Sequence, residues 1–137
     1  MAAGCSMGAY HAVNFLLKHP DVFEGTIALS GLYRLDRPEF GLSAADLPAV
    51  YFNSPLAYLP GLTDPWYLDR YRQSKIVVCV GQGAWEDEAI EDTRGLDHRL
   101  REKSVPAMVD FWGSDVNHDW PWWYRQMNHF LGVLLGS

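Results

Sequence analysis

The sequence predicts an α/β fold in which a parallel sheet of about four strands is flanked by helices. Short apolar runs typical of buried strands alternate along the chain with segments of helical periodicity. Strands separated by helices in this way form parallel sheets through right-handed crossovers. The length of 137 residues suits one domain over 1–137.

The chain begins with a very short strand, MAAG, and a helix follows it closely. From Met7 to Lys18 the apolar residues recur at helical spacing, and Pro20 prevents this helix from continuing. The run GTIALSG, from Gly25 to Gly31, is apolar between glycines and predicts a buried strand.

The segment from Leu32 to Pro65 is irregular and holds five of the eight prolines, so we expect an excursion over the mouth of the domain. A helical stretch from Trp66 to Arg72 then leads into KIVVCVG. Because five consecutive residues of that run are apolar, it is the strongest strand pattern in the chain.

The last part of the sequence predicts a helix, then a strand and then a final helix. Residues 87–103 carry a few apolar positions in an otherwise charged helix, and residues 106–113 form the fourth strand. The final helix begins after NHD, where Asp119 is a suitable cap and Pro121 suits the first turn, and it ends at about Leu135.

Charge and cysteine content exclude several classes of function. The formal charge of -6 argues against a nucleic-acid-binding surface, which needs a basic face. Cys5 and Cys79 are too few for a disulfide framework, and no Cys or His spacing predicts a metal site. The sequence shows neither a signal peptide nor an apolar run that spans a bilayer, so we expect a cytoplasmic protein without a membrane partner.

The motif GCSMG has the pattern G-x-S-x-G, which is typical of a strand-to-helix turn that exposes a nucleophilic serine. Alone the match is weak, and a plain tight turn before a helix is the alternative. We expect Gly4 and Gly8 to lie where close strand-helix packing excludes a side chain. Ser6 is then the candidate nucleophile.

Two later loops follow strands and carry the other candidate catalytic groups. His118 follows the fourth strand, and hydrolases of this architecture use the order serine, acid, histidine. Glu86, Asp87 and Glu88 follow the KIVVCV strand, although acidic residues there also favour the start of a helix. We prefer Glu86 as the triad acid with Asp87 close behind, because spacing does not separate neighbours.

The segments GCSMGAYHAVNFLLKHPDVF, VGQGAWEDE and DVNHDWPWW together resemble the esterase family of the α/β-hydrolases that contains esterase D, feruloyl esterases and mycolyltransferases. The resemblance implies acyl transfer to water without a cofactor or metal. Ser6 would attack the ester, His118 would carry the proton, and the acid would orient the imidazole. The backbone N–H of Met7 would donate to the oxyanion.

The sequence departs from this family in length. Members have a sheet of about eight strands, and their second oxyanion donor comes from a loop in the half that precedes the serine turn. We expect either a fragment or a half-size hydrolase that completes itself by self-association. Because a bare first strand is an exposed sheet edge, we predict a homo-oligomer, most simply a twofold dimer.

The substrate is predicted only in outline. Trp85 and Trp120 are candidate substrate-binding residues within a larger aromatic set, although core packing is the commoner role for such side chains. No basic cluster lies near the motifs, which favours short neutral acyl esters. An acyltransferase with the same triad, or a non-catalytic interaction module, are the alternatives. The full aromatic set is Trp85, Trp112, Trp120, Trp122 and Trp123, with Tyr51, Phe52 and Tyr58.

Overall fold

Four parallel strands form one sheet, as the sequence predicts, and the structure places them side by side in chain order. The structure is a computed structural model that describes residues 1–34 and 47–135. The strands are β1 Ala2–Cys5, β2 Gly25–Leu29, β3 Lys75–Val80 and β4 Met108–Phe111. The helices are α1 Met7–Lys18, α2 Leu47–Phe52, α3 Pro55–Tyr58, α4 Pro65–Gln73, α5 Asp87–Glu102 and α6 Trp120–Leu134.

Helices cover both faces of the sheet, and the strand order explains their distribution. Since the strands are placed in sequence order, crossovers of one hand bring α1, α4 and α5 to the same face. There they bury a cluster that includes Leu16, Tyr71 and Leu96 against Val78. The last helix, α6, follows β4 and packs Phe130 against the opposite face.

Helix ends follow the signals in the sequence. Helix α1 ends at Lys18, directly before His19 and the proline that follows it. Asp119 caps α6 by accepting a hydrogen bond from the Trp120 N–H at 2.8 Å. Asp64 caps α4 in the same way, with its carboxylate accepting from the Trp66 N–H at 2.9 Å.

The predicted excursion from Leu32 to Pro65 is only partly described, since residues 35–46 lie outside the described residues. The described part is not irregular, because it contains α2, α3 and a short 3₁₀ turn at Leu59–Gly61. Helix α3 packs on α1 and α5. Only Leu32 of this described part lines the pocket at Ser6. The expectation of an irregular cover over the mouth is therefore wrong for residues 47–62.

The strand register brings three loops to one edge of the sheet. Leu29 lies beside Cys5 on one side and Cys79 on the other, and Val80 lies beside Phe111. All four strands therefore end within one residue of one another. The Ser6 N–H extends the ladder by donating to the Leu29 carbonyl at 2.8 Å. Ligands in parallel α/β sheets bind beyond this carboxyl edge. The fold thus places the candidate catalytic loops together.

Both cysteines are thiols, and neither has the surroundings of a reactive cysteine. Cys79 is fully buried in β3 among apolar side chains, and that burial raises the pKa of its thiol. Cys5 is partly buried beside the serine turn, and desolvation raises the pKa of its thiol also. None of the described helices is long and apolar enough to cross a membrane.

Candidate active site

Ser6 occupies a one-residue turn between β1 and α1. Strand β1 ends at Cys5 and α1 begins at Met7, so the chain reverses at Ser6 with φ 55° and ψ -122°. A positive φ is unfavourable for serine, and strained positions of this kind cluster at functional sites. The turn holds the Ser6 side chain half-buried at the carboxyl edge of the sheet.

The two glycines of the motif differ in their surroundings. A Cβ on Gly4 would lie 2.4 Å from the carbonyl carbon and oxygen of Gly8, so the strand and helix meet backbone to backbone. A Cβ on Gly8 would meet no described atom within 4 Å. The expectation that close packing excludes a side chain is confirmed at Gly4 and wrong at Gly8, where the side-chain direction points into open space.

The hydroxyl of Ser6 and the imidazole of His118 are in hydrogen-bond contact. Ser6 Oγ lies 2.9 Å from His118 Nε2, although the two residues are far apart in sequence. His118 is held by its backbone N–H, which donates to the Ala84 carbonyl at 3.1 Å. When Nε2 is unprotonated it accepts the serine proton, which is the arrangement of a nucleophile with its general base.

Glu86 lies on the other side of the His118 ring. Its side chain is fully buried, and Oε2 lies 3.5 Å from His118 Nδ1. That distance is long for a hydrogen bond, but catalytic contacts without substrate are often long. Asp87 is exposed in the first turn of α5, which is the position of a helix-favouring acid. The geometry therefore favours Glu86 over Asp87 as the partner of His118.

The loop that carries Glu86 is fixed against the loop that carries His118. The Gly83 N–H donates to the Val116 carbonyl at 2.8 Å. A Cβ on Gly81 would lie 2.4 Å from the same carbonyl oxygen, so the glycines of GQG permit this close approach. These contacts hold the backbones of the two loops close together.

A pocket of about 330 Å³ opens at Ser6 and His118. Trp85 lines it with φ 67° and with 87% of its surface exposed, an unusual state for a large aromatic residue. Trp120 is not among the described residues that line this pocket, and it packs edge-on against Trp123. The lining consists of Ser6, Leu32, Trp85, Asp87, Glu88, Ala89 and His118.

The other predicted aromatic residues lie elsewhere. Trp123 belongs to α6 and is buried in the core, and Trp112 packs against the same cluster while partly buried. Tyr51, Phe52 and Tyr58 line a second pocket of about 310 Å³ near the carboxyl end of α1. Ser30 is a further residue of this region that no sequence motif marks. It is buried at the end of β2 and donates to Glu86. Its only signal was a polar residue at the carboxyl end of an apolar strand.

Known proteins resemble this chain in sequence and in fold. The model of a family described as "Putative esterase" matches residues 1–134. A ferulic acid esterase structure is 23% identical with a TM-score of 0.72, over 96% of this chain and 49% of its own. S-formylglutathione hydrolase (FrmB) from Staphylococcus aureus, as the apoenzyme, is 20% identical with a TM-score of 0.68, over 96% and 49%. Mycobacterium tuberculosis MPT51 (FbpC1) is 19% identical with a TM-score of 0.68, over 98% and 58%.

None of the curated proteins compared matches the sequence. The chain spans about half the length of the ferulic acid esterase and FrmB structures. Likeness at this level of identity establishes a shared fold, and it confirms the α/β-hydrolase architecture predicted from the sequence. Together with the family match over nearly all of its residues, this fold shows that the chain belongs to the esterase family.

Proposed function

We propose that the chain is a serine esterase that hydrolyses carboxylic esters through an acyl-enzyme. The observation that carries the proposal is the 2.9 Å contact between Ser6 Oγ and His118 Nε2 at a strained strand-to-helix turn. Such a contact activates a serine that is otherwise a weak nucleophile. Membership of the esterase family supports the same reaction class.

The proposed reaction has two steps, acylation of Ser6 and hydrolysis of the acyl-serine. Ser6 Oγ attacks the ester carbonyl while His118 Nε2 takes the serine proton, and the imidazolium then gives that proton to the departing alcohol. A water molecule next attacks the acyl-serine, His118 takes one water proton, and the acid product leaves as the proton returns to Ser6. Glu86 fixes the imidazole tautomer and stabilises the imidazolium without being protonated.

The Met7 N–H is the proposed oxyanion donor in this chain. Met7 is the first residue of α1, and the first N–H groups of a helix have no intrahelical acceptor. Because removal of one oxyanion donor lowers turnover by about 100- to 1000-fold, we expect this N–H to contribute strongly to the rate.

Short, neutral esters are the substrate class that the pocket favours. Asp87 and Glu88 line it, and the formal charge of the chain is -6, so an anionic substrate is repelled. The exposed face of Trp85 offers an apolar surface to an acyl or alcohol group. Trp120 lies outside the described lining of this pocket, so the proposal gives it no part in substrate binding. An alcohol in place of water would make the reaction an acyl transfer.

Replacement of Trp85 by alanine is expected to raise KM for aromatic esters roughly fivefold with little change in kcat, since the lost stacking acts equally on substrate and transition state. Steady-state kinetics with matched aromatic and acetyl esters measures this. Trp66→Ala is the control, because Trp66 is a half-exposed tryptophan of α4 outside the Ser6 pocket. Equal KM values in the wild type and Trp85→Ala would remove Trp85 from the proposal.

We also propose that the chain self-associates through β1. Among the described strands, β1 pairs with β2 alone, and Met7 and Phe15 are half-exposed on the adjoining helix. A twofold axis at this edge pairs β1 with its own copy.

Light scattering tests this self-association. The measured mass is expected to be twice the monomer mass of 15.5 kDa and to fall towards the monomer mass on dilution. Ala3→Lys should favour the monomer, and a monomer mass at every concentration contradicts the proposal.

The esterase proposal is tested by hydrolysis of a short-chain chromogenic ester by the wild type and by Ser6→Ala. We expect the variant to retain less than roughly one thousandth of the wild-type kcat/KM, because its attacking atom is gone. Thermal unfolding of both proteins checks that the variant folds. Equal rates in the two proteins overturn the proposal and leave a folded interaction module as the alternative.

A further inference from the structure

Ser30 directly follows β2 at the carboxyl end of that strand, and its side chain contacts Glu86 and Trp123. It is 1% exposed, and its backbone N–H donates to the Cys79 carbonyl at 2.8 Å. Its φ is 56°, a conformation that glycine adopts at lower cost than serine. Its side chain therefore makes contacts that offset an unfavourable backbone, and the proposed reaction steps do not use it.

The hydroxyl of Ser30 joins the Glu86 carboxylate to the indole of Trp123. Ser30 Oγ lies 2.8 Å from Glu86 Oε1 and 3.1 Å from Trp123 Nε1. Indole N–H only donates and a carboxylate only accepts, so the chemistry fixes both directions. Trp123 donates to Ser30, and Ser30 donates its single proton to Glu86. The indole thus leaves the Ser30 hydroxyl with one favourable orientation.

The same indole contacts the catalytic histidine. The rings of Trp123 and His118 meet edge to face, with centroids 4.8 Å apart and an interplanar angle of 87°. Trp123 is a residue of α6, is 7% exposed and is packed in the core. The Trp123 side chain therefore contacts both the His118 imidazole and the Ser30 hydroxyl that donates to Glu86.

We propose that Ser30 and Trp123 are positioning residues that hold the Glu86 carboxylate so that Oε2 faces His118 Nδ1. The inference rests on the proposed esterase function and extends it. Glu86 is fully buried, and a buried carboxylate needs hydrogen-bond donors. The contact to His118 at 3.5 Å is too long to fix the carboxylate alone. Ser30 holds Oε1 with a short, charge-assisted hydrogen bond, which sets the plane of the group.

Two substitutions of Ser30 separate positioning from stability. Ser30→Ala and Ser30→Gly both remove the hydroxyl, but only glycine relieves the backbone at φ 56°. We expect kcat to fall about 10- to 100-fold in both, with KM within about twofold, because misplaced catalytic groups cost rate more than binding. Unfolding temperatures should differ, with the glycine variant the more stable. If kcat falls only in the less stable Ser30→Ala variant and is unchanged in Ser30→Gly, the inference is overturned.

Trp123→Phe tests whether the indole N–H holds the Ser30 hydroxyl in place. Phenylalanine keeps an aromatic edge near His118 but has no N–H, so the Ser30 hydroxyl is free to rotate. We expect a smaller loss of kcat than in Ser30→Gly, and we expect Ser30→Gly/Trp123→Phe to be no slower than Ser30→Gly. Additive losses in this double-mutant cycle would show that Trp123 does not act through Ser30 and would overturn its role.

An activity-independent measurement separates this inference from the esterase proposal. In the wild type, proton NMR of the imidazolium is expected to show a low-field Nδ1–H signal of His118, protected from exchange by Glu86. Ser30→Gly should broaden that signal by faster exchange with water, whereas His98→Ala should leave it unchanged. If the wild type hydrolyses no ester, the esterase proposal fails while the NMR signal still decides the inference. An unchanged signal in Ser30→Gly overturns it.

Discussion

His118→Ala is expected to lower kcat/KM for ester hydrolysis by about 10⁴-fold. Among the residues that the structure describes, only the His118 imidazole is hydrogen-bonded to the Ser6 hydroxyl, so its removal takes away the group that accepts the serine proton and then donates it to the departing alcohol. The 2.9 Å contact between Ser6 Oγ and His118 Nε2 is the physical basis of this expectation. Steady-state hydrolysis of a short-chain chromogenic ester, measured across pH, gives the ratio.

His98→Ala is the matched control for this loss. His98 is an exposed histidine of α5 whose Nε2 lies 3.4 Å from a Glu102 oxygen, and it does not line the Ser6 pocket. Its replacement should leave kcat/KM within about twofold, since exposed pairs of this kind contribute little. Similar losses in the two variants would mean that general unfolding, and not the missing base, lowers the rate.

Gly4→Ala is expected to lower the free energy of unfolding by about 3 kcal/mol, because overpacking against fixed atoms forces backbone shifts. The added Cβ would lie 2.4 Å from the Gly8 carbonyl, and a backbone group cannot rotate away as a side chain does. Strand β1 and helix α1 then have to separate, which also moves Ser6. Urea unfolding followed by circular dichroism gives the change in stability.

Gly8→Ala provides the internal control for the same motif. A Cβ at Gly8 meets no described atom within 4 Å, and alanine is the better helix former. We expect the free energy of unfolding to stay unchanged or to rise by up to about 1 kcal/mol. If Gly4→Ala and Gly8→Ala have equal stability, the close contact of β1 with α1 is not what fixes the turn.

The regular elements are largely predictable from the sequence because their signals are local. Helix α1 covers Met7–Lys18, as the apolar spacing and the following proline indicate. The buried run in β3 and the cap at Asp119 are likewise present. The segment around α2 and α3 was not predictable, because short helices depend on tertiary packing, as α3 does on α1 and α5.

The candidate site was predictable where a motif carries the chemistry. Ser6 and His118 stand out by pattern and by position after strands, and the structure brings them together. Choosing between Glu86 and Asp87 required the fold, because the left-handed backbone at Trp85 and the buried hydroxyl of Ser30 distinguish the two neighbours. Such tertiary contacts leave no trace in residue spacing.

Covalent labelling with a fluorophosphonate, read by mass spectrometry of the intact protein and its peptides, tests the central claim most directly. An activated serine displaces fluoride from phosphorus, so the label reports the nucleophile without requiring full turnover. We predict one phosphonyl group per chain on Ser6, none in Ser6→Ala, and labelling at least roughly 100-fold slower in His118→Ala. Absence of label on Ser6, or labelling unaffected by His118→Ala, contradicts the claim that these two residues form a nucleophile and its base.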